Sequence, residues 1–186
     1  MTTDTATTTL STWTIDPYHG QAQFTAKHLM IATVTGRLGS INGTLHFDPN
    51  NLTSGSVEAT IDVTALSTGN EQRDNDLRSA HFFDIEHYPS ISFRSTGVQH
   101  AEDAEYLVRG ELTIKGITRP VTLETTFEGA IPDPYGQGSH RAGFTAETLL
   151  SRKDFGMTYN QLLETGGAVV GDKIKVTIHF EAIRQG

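Results

Sequence analysis

The sequence predicts an all-β domain: an antiparallel β-barrel of about eight strands, with a helical insertion closing one end. Three observations carry that prediction. Apolar and polar residues alternate along most of the 186-residue chain, the period-2 signature of strands with one buried face. Several of these runs reach about eight to eleven residues, longer than the usual five or six, and glycines sit inside them as they do where a sheet curls on itself. One long stretch, residues 68–93, breaks the alternation with polar residues that suit a helix.

Residues 1–11, rich in Thr, are expected to form a disordered tail, and residues 12–186 a single domain. Trp13, Thr14, Ile15 and Asp16 open the ordered part, and Pro17 ends that run. Ala22, Phe24 and Ala26 then alternate with Gln21, Gln23, Thr25 and Lys27 as a strand. Ile41, Gly43, Leu45 and Phe47 make another, closed by the turn Asp48-Pro49-Asn50-Asn51. Gly36, Gly39 and Gly43 read as bulges or bends. Val57, Ala59, Ile61 and Val63 give the next alternation.

The insertion follows. Thr68 and Glu71 have capping-box spacing, so a helix is expected to begin near Gly69. His81-Phe82-Phe83 ends it with two aromatics, and Pro89 forces Tyr88 out of the helical region. A polar helix ending in an aromatic pair, set among strands, reads as a lid on the barrel end. Strands resume at Ile91 and Phe93, then at Tyr106–Ile114 and, across the short Gly116–Pro120 turn, at Val121–Gly129. Ala142, Phe144, Ala146 and Thr148 form another, broken by Arg152-Lys153-Asp154-Phe155-Gly156 and again at Gly166-Gly167. Ile174, Val176, Ile178, Phe180 and Ala182 make the most regular strand.

Composition narrows the function. A net charge of −8 with scattered acids argues against nucleic acid as a partner, since phosphates need clustered Lys and Arg. The absence of cysteine removes disulfides, thiol nucleophiles and thiolate metal sites. The N-terminal residues lack a signal-peptide pattern, and no stretch approaches the roughly 18 apolar residues of a membrane span, so a cytoplasmic protein without an integral membrane segment is expected.

The ordered motifs carry a resemblance. Ile15-Asp16-Pro17 with His19, Arg73-Asp74 with Leu77-Arg78-Ser79, and Phe82-Phe83-Asp84 come first. Tyr88-Pro89 with Ile91 and Phe93, Leu112-Thr113-Ile114-Lys115-Gly116, Arg152 with Asp154-Phe155-Gly156-Met157, and Gly171-Asp172 follow in order. Together they resemble the YceI-like family, bacterial lipocalin-like proteins that bind polyisoprenoids. The resemblance implies a long apolar tunnel, a homodimer, and a bound lipid in place of any cofactor.

Tunnel lining is expected from Phe24, Phe47, Phe82, Phe83, Phe93, Leu112, Ile114, Phe127, Phe144, Phe155 and Ile178. His19, Arg73 and Arg152 are the residues expected at a ligand head group, Arg through its forked donors. No catalytic residue is assigned, because no serine sits in a nucleophile elbow. No metal is assigned either: His81, Asp84 and His87 come nearest to a cluster, without a metal-binding motif. The expected function is non-enzymatic carriage of a polyprenyl chain or isoprenoid quinone. A fatty-acyl or other amphiphile binder, and an enzyme acting on a lipid or quinone in the same pocket, are the alternatives.

Overall fold

A computed structural model describes residues 9–136, 139–161 and 169–186. Strand β1 spans Ser11–His28, β2 Ala32–Arg37, β3 Ile41–Asp48 and β4 Asn51–Asp62. Helix α1 covers Glu71–Arg78. Then come β5 (Ser90–His100), β6 (Glu105–Ile114), β7 (Ile117–Pro132), β8 (His140–Ser151), a 3-10 turn (Arg152–Phe155) and β9 (Val170–Arg184). Every pairing is antiparallel, each strand from β3 onward pairs with the next, and β9 returns to β1, so the sheet closes. Both β2 and β3 pair with β1, along residues 23–28 and 11–14 respectively, so they form one stave broken at residues 38–40. The barrel therefore has eight staves, the number the family resemblance implies and within the eight to ten strands that the alternation allows. At the break, Gly39 N–H bonds the Asp62 carbonyl at 2.7 Å, close enough that a side chain there would collide with it.

Three boundaries differ from expectation. β1 starts at Ser11, inside the stretch read as tail; residues 1–8 and Gly166-Gly167 lie outside the described residues. Pro17 does not end the first strand. Its register with β9 slips between Ile15 and Gly20, and the resulting bulge absorbs a residue that cannot donate to the ladder. Helix α1 begins at Glu71, with Asn70 as its cap accepting from Arg73 N–H; Thr68 instead turns its hydroxyl to Asp74. The capping-box spacing marks the region but not the cap.

Two apolar clusters fill the barrel ends. At one, Trp13 stacks on Phe47 with ring centres 4.6 Å apart, among Ile15, Leu45, Leu52 and Phe144. At the other, Val63, Phe82, Ile91, Phe155 and Met157 pack beneath the turns that follow α1. Phe82 is the aromatic that plugs this end; Phe83 is half-buried and meets Phe24 edge-on at 6.4 Å. Among the described residues no helix is long and apolar enough to cross a membrane.

Candidate functional site: an apolar tunnel

Alternating strands place every second side chain inside, and here the inside is not solid. Between the two end clusters runs a cavity of about 150 Å3. An apolar void of about that size stays dry and takes a benzene-sized guest. This one is drawn out along the barrel, from Leu112 and Ile114 near the lid to Leu45, Phe47 and Leu52 at the other end. Among the described residues its polar lining is confined to Ser56, Tyr106, Thr125 and Thr148, and none that lines it carries a charge.

Of the side chains expected in the tunnel, Phe47, Phe93, Leu112, Ile114, Phe144 and Ile178 line the cavity. Phe127 backs the wall, its ring 5.3 Å from Phe144. Phe24, Phe82, Phe83 and Phe155 pack toward the lid instead. Sequence reasoning missed Ile15, Ile41, Leu45 and Val176, which also line it. Their signal was present: Ile41 and Leu45 share the phase of Phe47, and Val176 that of Ile178. Size drew attention to the aromatics, whereas phase alone decides what points inward.

The YceI-like domain model matches residues 13–182 of this barrel. The chain belongs to the YceI-like family. It is 34% identical over 173 residues to a UPF0312 protein of Staphylococcus aureus, covering 93% of this chain and 95% of that relative. Among solved structures, Burkholderia cenocepacia BcnA superposes with a TM-score of 0.76 at 24% identity, covering 90% of this chain and 98% of that one. A Campylobacter jejuni YceI protein gives 0.72 at 26%, covering 86% and 90%. A Saccharophagus degradans domain described as polyisoprenoid-binding gives 0.69 at 14% identity, covering 95% and 100%, a likeness of fold.

The cations and histidine expected at the head group lie outside the lining of this YceI-like tunnel. Arg73 is exposed and ties down the start of α1, donating to the Thr68 hydroxyl at 2.7 Å and carbonyl at 3.1 Å. Arg152 is buried, and its guanidinium donates to the carbonyls of Met157 (2.6 Å), Tyr159 (2.8 Å), Gly171 (3.0 Å) and Val170 (3.3 Å). Burial lowers its pKa from the ordinary arginine value, opposed by the charge of Asp172. Asp154, its neighbour in the sequence motif, is not among these partners. Arg152 ties Met157 and Tyr159 to the start of β9 and lies 6.0 Å from the Phe82 ring.

His19 sits on the β1 bulge, its Nδ1 2.9 Å from the Asp16 carboxylate. Asp16 is buried and also accepts from Tyr18 N–H at 2.9 Å and Arg141 Nη1 at 2.7 Å. Arg141 reaches Glu181 at 2.8 Å and Asp133 at 3.0 Å as well. Burial alone would push the Asp16 carboxyl up; the bonds from Arg141, His19 and Tyr18 outweigh it and hold the pKa at about 2. Asp16, His19 and Glu181 are the one group among the described residues with metal-ligand spacing. The Arg141 guanidinium already binds both of those carboxylates, so the chemistry there is an ion-pair network rather than a cation site. Of the three residues that came nearest to a cluster in the sequence, Asp84 bonds His87, but His81 turns to Asp76.

Proposed function

We propose that this protein is a binding protein that holds the tail of a long-chain isoprenoid lipid, a polyprenyl chain or isoprenoid quinone, in the barrel tunnel. The cavity carries the reading, because it is elongated, uncharged and walled by aliphatic and aromatic side chains. Burial supplies affinity there: about six buried carbons at about 0.8 kcal/mol each contribute roughly 5 kcal/mol before association costs, and each further methylene admitted adds about 0.8 kcal/mol. The Saccharophagus domain of similar fold, described as polyisoprenoid-binding, favours an isoprenoid over a straight acyl chain. Binding without turnover is favoured because the described lining residues include no His, Asp, Glu, Lys or Arg to serve as acid or base.

The test is mass spectrometry of the purified protein, native and after organic extraction, then repeated after incubation with menaquinone and polyprenyl phosphate. A bound species with five-carbon increments is expected. A fatty acid in the tunnel would replace the ligand class, and a protein left empty by both lipids would overturn the reading.

A further inference from the structure

A closed barrel with plugged ends leaves a chain-shaped guest no path inside. Both ends here are filled: Trp13 and Phe47 are 0% and 3% exposed at one, Phe155 and Phe82 2% and 5% at the other. The wall, however, is split. β4 and β5 are 12 and 11 residues long, yet their ladder runs only from Glu58 opposite Arg94 to Asp62 opposite Ser90. Before Glu58, β4 pairs only with β3, and after Arg94, β5 pairs only with β6. The cause lies on β5, whose register with β6 slips between Ser95 and Gly97. Such a bulge bends its strand and ends pairing. Val57 N–H, next along β4, bonds the Ser95 hydroxyl at 2.9 Å instead of a backbone carbonyl. An exposed Arg94–Glu58 ion pair of 3.1 Å stands on the last rung.

This split reaches the tunnel. Gly55, Ser56 and Val57 on one lip and Val98 on the other all line the cavity, and Ser56 is the lining residue that is also exposed to solvent. We propose that the slit between β4 and β5, with residues 54–57 on one lip and 97–99 on the other, is the portal through which an apolar lipid chain threads into the tunnel. Its polar head stays outside. The inference rests on the tunnel being a lipid site, and it places admission in the barrel wall rather than at the lid.

The chain has no cysteine, so an introduced pair can be joined selectively. Ser56 is exposed, and a side chain at position 97 meets nothing within 4 Å, so the S56C/G97C variant keeps its packing. A short bismaleimide then bridges the slit. The probe is a geranylgeranyl chain with a fluorescent head group, offered from phosphatidylcholine vesicles. Bridging before exposure should slow uptake at least about tenfold, and bridging after loading should slow release as much, since the gate and not the wall sets both rates. The L149C/K175C pair, bridged across the continuous β8–β9 ladder, should change neither. Uptake by bridged S56C/G97C at the unbridged rate overturns the portal while leaving the tunnel as lipid site. Failure of the unbridged protein to take up the probe overturns the tunnel reading, and the portal with it.

Discussion

A carboxylate buried as deeply as Asp16 stays ionised only when its lone pairs are met, and three donors meet them here. The result links folding to pH. The folded pKa, at about 2, lies below the unfolded value near 3.8, so this stabilisation is complete above that unfolded value and is lost as pH falls toward 2. Its size is about 2 kcal/mol, taking about 1.4 kcal/mol per pKa unit. Urea unfolding of wild type and Asp16→Asn between pH 5 and pH 2 should therefore show wild type losing about 2 kcal/mol more than the variant. Equal acid losses would mean the network does not stabilise the fold. His19 was expected at a head group, although Asp16, the partner it bonds, was legible three residues away. Arg141 was not, because it lies 125 residues from Asp16 and only barrel closure brings the two together.

At the level of elements, glycines decide how neighbouring staves fit. Gly110 on β6 sits under the Phe93 ring of β5, where an added Cβ would lie 2.4 Å from Phe93 Cζ and 2.5 Å from the Arg94 carbonyl oxygen. Gly36 on β2 accepts the Phe24 ring of β1 in the same way, at 2.3 Å. Gly36 read in the sequence as a bend or bulge, yet it admits a cross-strand ring, a distinction set by the neighbouring strand and invisible along one chain. Gly110→Val should cost about 2–3 kcal/mol in denaturant unfolding, since both a ring and a backbone carbonyl must shift. Gly97→Ala, in open space on the adjoining strand, should stay within about 0.5 kcal/mol of wild type. Similar losses for both would show that strand entropy rather than ring seating sets the cost. Helix α1 follows the same logic: its residues are polar and few, and it is anchored from outside itself, by buried Asp74 bonded to Thr68 and by Phe82 plugged into the barrel.

For the whole molecule, the period-2 alternation predicted an antiparallel sandwich or barrel, and the length of the runs with their internal glycines favoured the closed barrel. Part of the tunnel wall followed from phase, as Phe47, Leu112 and Ile178 show. The slit did not follow, because it depends on where one ladder stops, and register is set by neighbours that alternation does not name. A barrel that keeps a dry cavity forgoes the dispersion contacts a solid core would make, and a fitting guest restores them. Ligand should therefore stabilise this fold by mass action: at a hundredfold excess over Kd the gain is about 2.7 kcal/mol. For a domain of this size that raises Tm by roughly 5–10 °C, at about 2–4 °C per kcal/mol. Thermal unfolding with rising geranylgeraniol should show Tm climbing with concentration, and a five-carbon isoprenol at the same concentrations should shift it far less, because it buries fewer methylenes. A Tm indifferent to chain length would mean that the tunnel is not where the ligand binds.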